Sequence, residues 1–187
     1  MSKFVKPWLV ALLLTGVLAA GCNQRSGPAG PAAAGAGGKY LLAAEPAGAR
    51  GVKEARQEVK DGDEVVVVGT IGGSVKPWIE GRAGFWIVDP SLPSCKNMEM
   101  EGEVCPTPWD YCCTPKEMLV KAMATVKVVD ANGQTVPTDA RELLGVKELQ
   151  TVVVKGRAKR DDEGNLTVLA EGVYRRPDDP RKEGALR

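Results

Sequence analysis

The sequence predicts a small, mainly β domain: five short strands, one helix between the third and fourth, and a cysteine-rich insertion between the second and third. Three observations predict it. Runs rich in Val, Ile and Thr recur between residues 61 and 174, each bounded by Gly, Pro, Asn or Asp. Gly69 interrupts the best of these runs, as a bulge or a sharp bend at a barrel corner requires. The last two runs are joined through Asp161-Asp162-Glu163-Gly164-Asn165, a hairpin turn.

In chain order, residues 46–60 hold a short helical pattern, with Ala49, Val52, Ala55 and Val59 near helical spacing. Asp61-Gly62-Asp63 is a turn. The first strand is residues 64–71 (EVVVVGTI), closed by Gly72-Gly73. The second is residues 83–89 (AGFWIVD), ended by Asp89-Pro90. The third is residues 124–130 (ATVKVVD), ended by Ala131-Asn132-Gly133. Residues 138–145 (TDARELLG) read as a helix with Thr138 or Asp139 as its N-cap and Gly145 as its C-cap. Residues 151–158 (TVVVKGRA) and 166–174 (LTVLAEGVY) are the fourth and fifth strands.

The order β-β-β-α-β-β resembles the OB-fold, a five-stranded Greek-key barrel, over roughly residues 61–174. The expected core is Val65, Val67, Ile71, Ile87, Val126, Val128, Val152, Val154, Val168 and Val173, or their alternates, since a one-residue slip exchanges the two faces. The resemblance implies a ligand surface on the second and third strands, where Trp86 and Lys127 stand. The opposite orientation, with Trp86 inward and Phe85 outward, fits the sequence equally well. Many OB-folds bind single-stranded nucleic acid through a positive groove and aromatic platforms. Residues 60–175 carry 14 Lys and Arg against 18 Asp and Glu, the wrong balance for a polyanion partner. Lys155, Arg157, Lys159 and Arg160 could form a local basic stripe, or simply a solvated strand edge.

The insertion, residues 90–123, is far longer than a hairpin loop, and such loops are usually functional. It holds Cys95, Cys105, Cys112 and Cys113. One expectation is two disulfides of about 2–3 kcal/mol each. The pairing is Cys95–Cys112 with Cys105–Cys113, or Cys95–Cys113 with Cys105–Cys112, because the third alternative needs a strained vicinal bond. The alternative is a thiolate site for zinc or another thiophilic metal, although no C-x-x-C is present. A redox dithiol is the third reading. Between the cysteines, prolines flank Trp109-Asp110-Tyr111. Trp109 and Tyr111 are candidates either for a partner contact or for packing over the loop.

At the N-terminus, Lys3 and Lys6 precede a 13-residue apolar run, residues 8–20, too short to span a membrane and suited to a signal-peptide core. It ends in Ala19-Ala20-Gly21-Cys22, which resembles the lipobox of bacterial lipoproteins. That resemblance implies cleavage after residue 21, lipid attachment at Cys22 and a membrane-tethered protein of the bacterial cell envelope. Several acyl chains on one residue hold a protein stably on a bilayer. Residues 22–44 then form a lipidated cysteine and a Gly/Ala/Pro linker, residues 45–174 the domain, and residues 175–187 a charged, disordered tail.

The chain contains no histidine. That excludes Ser-His-Asp and Cys-His catalysis and any histidine-ligated metal or haem. No nucleophile–base pair can be named, so the expectation is a non-catalytic binding or interaction module without a cofactor. Its partners would be the membrane, through the lipid, and an envelope protein or small ligand. A metal-binding or thiol-redox protein is the alternative, and a single-stranded nucleic-acid binder the second alternative.

Overall fold

The computed structural model describes residues 37–97 and 105–177, all in one compact unit. Cys22, the signal-peptide residues and most of the expected linker lie outside the described residues, as does the tail from residue 178. The strands are β1 (Arg50–Gly51), β2 (Glu64–Ile71), β3 (Trp78–Ile79), β4 (Gly84–Val88), β5 (Met123–Val128), β6 (Thr151–Arg160) and β7 (Leu166–Arg175). The α-helices are α1 (Val52–Glu58), α2 (Lys116–Lys121) and α3 (Ala140–Leu144). No helix among the described residues is long and apolar enough to cross a membrane.

The protein is mainly β, built on one seven-stranded mixed sheet in the order β1-β2-β6-β7-β5-β4-β3. A further pairing of β2 with β4 closes five strands, β2-β6-β7-β5-β4, into a ring. Every ring contact is antiparallel except β5 with β7, which is parallel. Alternation of buried and exposed residues along β2 and β5 puts one side of each strand inside the ring. All ten expected core residues are buried, together with Phe85 and the α3 residues Leu143 and Leu144.

Local chemistry explains several boundaries. Asp139 caps α3 by accepting the Arg141 N–H at 2.8 Å, and Gly145 ends it in the left-handed region at φ 61°. Asp161 closes the β6–β7 hairpin by accepting the N–H groups of Glu163 and Asn165. The cap of α1 comes from far away. The buried Asp89, just past β4, accepts the Lys53 N–H at 2.8 Å and the Ser91 N–H at 2.9 Å. Burial alone would raise the pKa of Asp89; the hydrogen bonds from Ser91 and Lys53 outweigh it and hold the carboxyl below its usual range. At the other end of α1, the Arg160 guanidinium donates to the carbonyls of Ala55, Arg56 and Val59.

Four features differ from the sequence expectation. Gly69 marks no bulge, because β2 pairs with β6 in unbroken register from Glu64 to Thr70. Its missing side chain instead admits a neighbour: a Cβ there would stand 2.8 Å from Ile87 Cβ, where β2 passes from β6 to β4. The bulge lies at Lys155/Gly156, between β6 and β7. β1, β3 and α2 were not expected. Two-residue strands carry no periodicity, and α2, six residues with only Leu119 half-buried against the second cluster, is too short for a helical period to show. The packed region also begins before residue 45: Tyr40 is in the core and Leu41 bridges to Val173. At the far end Arg175 belongs to β7, and the Arg176 Nε donates to Glu45 at 3.0 Å.

Candidate functional site

The insertion folds back over one end of the ring. After β4 the chain turns at Asp89, whose carbonyl accepts the Leu92 N–H at 3.0 Å. The Cys95 N–H donates to the Pro108 carbonyl at 3.1 Å, which fastens the start of the insertion to its second half. The second half is fixed in turn to the loop after β2. The Gly73 N–H donates to the Trp109 carbonyl at 2.8 Å, and the Trp109 indole N–H donates to the Val75 carbonyl at 3.1 Å. Gly72 explains why this approach is possible, since a Cβ there would stand 2.5 Å from the Trp109 carbonyl oxygen. The glycine pair that reads as a strand terminator is also the landing place of the insertion.

Tyr111 is the anchor. It is 1% exposed and packs with Val88, Leu92 and Ala122 in a cluster separate from the ring core. Its φ of 59° lies in the left-handed region, a backbone state that costs a non-glycine residue roughly 1–3 kcal/mol and persists only when neighbours enforce it. Burial, followed by the nearby Cys95 sulfur, pushes its phenol up to about 12. Asp110 completes the turn. One carboxylate oxygen accepts the Thr107 hydroxyl at 2.8 Å and the other the Cys112 N–H at 2.9 Å. Burial opposes ionisation of Asp110, but these hydrogen bonds prevail and lower its pKa.

This turn brings the cysteines together. Cys112 Sγ stands 3.5 Å from Cys95 Sγ, 3.8 Å from Cys105 Sγ and 3.8 Å from Cys113 Sγ. None of these separations is the roughly 2.05 Å of a disulfide. Cys95 is buried, Cys105 and Cys113 are half-buried and Cys112 is exposed. Burial would raise the pKa of Cys95, but hydrogen bonds from the Cys113 N–H and from the Cys113 and Cys112 thiols lower it overall. The donors pay the converse: hydrogen bonding to Cys95 raises the pKa values of both Cys112 and Cys113. The sulfurs of Cys95, Cys105 and Cys112 and a carboxylate oxygen of Asp110 all lie within 4.8 Å of one another.

The other sequence candidates separate. Phe85 is fully buried, so Trp86 points the opposite way, half-exposed on the outer side of β4. Lys127 lies on the same side of β5, one pair along: Trp86 is opposite Thr125, and Gly84 is opposite Lys127. Trp109 is half-exposed on the docked insertion. Tyr111 packs inside and offers no open contact surface. The basic stripe is partly committed elsewhere. Arg157 lies 3.4 Å from Glu64 and 3.9 Å from Glu171, and Arg160 caps α1. Sequence reasoning noted Asp110 only as part of a turn and missed Asp89 as a cap. No spacing rule could have shown either, since their partners lie in other segments or depend on the turn's final shape.

No protein-family model matches this chain, and no curated protein matches it.

Proposed function

We propose that this chain is an exported, lipid-anchored protein of the bacterial cell envelope whose folded part is an OB-fold-like, non-catalytic binding module. Counting only the ring strands, the neighbour order runs 1-2-3-5-4 and back to 1, with the third and fifth parallel. That is the order expected of the OB-fold, and it is the observation that carries the fold part of the proposal. In that fold the face of the second and third strands is the usual ligand surface. Here those strands are β4 and β5, and the side chains offered there are Trp86 and Lys127.

The non-catalytic part rests on chemistry. Histidine is absent from the whole chain. Lys53 Nζ does reach Ser91 Oγ at 2.9 Å, but the contact is exposed to solvent. The export and anchoring part rests on the Ala19-Ala20-Gly21-Cys22 resemblance. The acidic balance and the ion-paired Arg157 favour an envelope protein or small ligand over nucleic acid as the partner.

The test uses the full chain in a bacterial host. Wild type should fractionate with membranes and incorporate labelled fatty acid, and Cys22→Ala should do neither. Unchanged fractionation of the variant would remove the anchor. A photocrosslinking residue at position 86 should capture a discrete envelope component that one at the exposed Glu171, on β7, does not. Equal capture at both positions would remove the β4–β5 face as the binding surface.

A further inference from the structure

We propose that Cys95, Cys105 and Cys112, with the carboxylate of Asp110, form a binding site for one zinc ion that ties the start of the insertion to its second half. This does not depend on the anchoring or the ligand surface above and can stand or fall separately.

The arrangement of the sulfurs carries the argument. Among the proposed ligands, Cys112 Sγ lies 3.5 Å from Cys95 Sγ and 3.8 Å from Cys105 Sγ, and all four donor atoms lie within 4.8 Å of one another. Disulfides join sulfurs two by two, which would leave one close partner for each. Convergence of several sulfurs at similar spacing is what a common central ion produces. Thiolates about 2.3 Å from a tetrahedral zinc lie about 3.8 Å from one another. The observed separations match that edge before any ion is considered.

The donor set narrows the metal. Three soft thiolates exclude magnesium and calcium, which take oxygen ligands. A carboxylate oxygen as the fourth donor suits zinc, which takes both sulfur and oxygen ligands in four-coordinate sites. It is a poor companion for copper(I), whose preference is for sulfur alone. Four protein ligands leave no open position, so the site is structural.

The surroundings are prepared for it. Cys113 Sγ lies 3.8 Å from Cys112 Sγ, beside the group of donor atoms that all lie within 4.8 Å of one another, where it can hydrogen-bond a ligating thiolate and orient it. The Thr107 hydroxyl and the Cys112 N–H fix Asp110 in the same way. Cys113 is therefore a positioning residue rather than a ligand. The use of such a tie is visible too: among the described residues, the apolar cluster joining the insertion to β4 holds only Val88, Leu92, Tyr111 and Ala122 as buried members.

The test uses the full chain, extracted in detergent, reduced and freed of metal. Titration with Zn²⁺ against a competing chelator should show one ion per chain. Co²⁺ in its place should give the intense visible bands and the near-ultraviolet charge transfer of a tetrahedral thiolate centre. Cys95→Ser, Cys105→Ser and Cys112→Ser should each lower zinc affinity by at least about 100-fold, and Asp110→Asn by at least about 10-fold. Cys113→Ser should keep the cobalt spectrum and lose about 10–100-fold in affinity, as for loss of a second-layer hydrogen bond. Should a cysteine variant fail to fold, the wild type still decides. Chelation should open residues 105–115 to proteolysis while the ring stays protected. The proposal is overturned by reduced insertion cysteines that give no cobalt bands, or by insertion disulfides without metal in protein from an oxidising compartment. Asp110 is overturned as a ligand if Cys113→Ser abolishes the charge transfer while Asp110→Asn leaves it. Proteolysis unchanged by chelation would overturn the fastening role.

Discussion

The ring and the insertion are held by different forces. Among the described residues, the ring and the elements packed on it share a cluster of 25 buried apolar residues, whereas the second cluster, to which the insertion contributes Leu92, Tyr111 and Ala122, has four. Along the ring, backbone groups are satisfied by strand ladders that run up to nine pairs, as between β6 and β7. Along the described part of the insertion outside α2 many are satisfied singly, by contacts such as Gly73 N–H to the Trp109 carbonyl and Cys95 N–H to the Pro108 carbonyl. The difference teaches where stability and where chemistry reside. Apolar burial at about 25 cal/mol per Å² sustains the ring without help. The described part of the insertion adds few residues to such a core and is held by particular polar contacts, so local opening is expected there first.

The sharpest way to break this contrast is in the ring. Phe85→Ala removes a fully buried ring from the core and should cost about 3–5 kcal/mol. Chemical denaturation should show one cooperative transition moved to lower denaturant, with the insertion lost along with everything else. A smaller, separate transition would mean that the ring is not the foundation.

Tyr111→Ala tests the other side. It should cost up to about 3 kcal/mol, but locally. Hydrogen exchange should speed up at residues 105–115 and stay slow along β6 and β7. Uniform loss of protection would show that the Tyr111 cluster is part of the ring core after all.

Asp89→Asn probes the junction and should have the smallest effect, about 1 kcal/mol, from a weakened cap and lost charge at the start of α1. Its sign with pH is fixed by linkage. The folded pKa of Asp89 lies below its unfolded value of about 3.9. Its contribution is therefore present above that value and lost as pH falls through the folded one. Wild type should lose stability across that acid range more steeply than the variant. Parallel acid curves would show that Asp89 is not held low by its hydrogen bonds.

Much of the ring was legible because its strands are long enough to show a pattern. EVVVVGTI gives both the limits and the inward face of β2, and TDARELLG gives α3 with its Asp139 and Gly145 caps. The short strands β1 and β3 were not legible, because two residues contain no period. The candidate site was half legible. Composition and spacing placed four cysteines in one insertion. The choice of Trp86 over Phe85 as the outward residue needed the actual register, because both faces of AGFWIVD are apolar.

The sequence by itself determined the mainly β class, the strand sequence that closes into a ring, the core valines and the absence of histidine chemistry. These depend on residue type and on periods two to four residues long, and both are local. Only the tertiary structure decided that Asp89 caps a helix 36 residues before it, that Gly72 receives Trp109, and that three sulfurs gather around Cys112 beside Asp110. Each of these joins segments far apart in the chain or aims a side chain through a turn. Such distances are settled by how the ring closes and where the insertion lands.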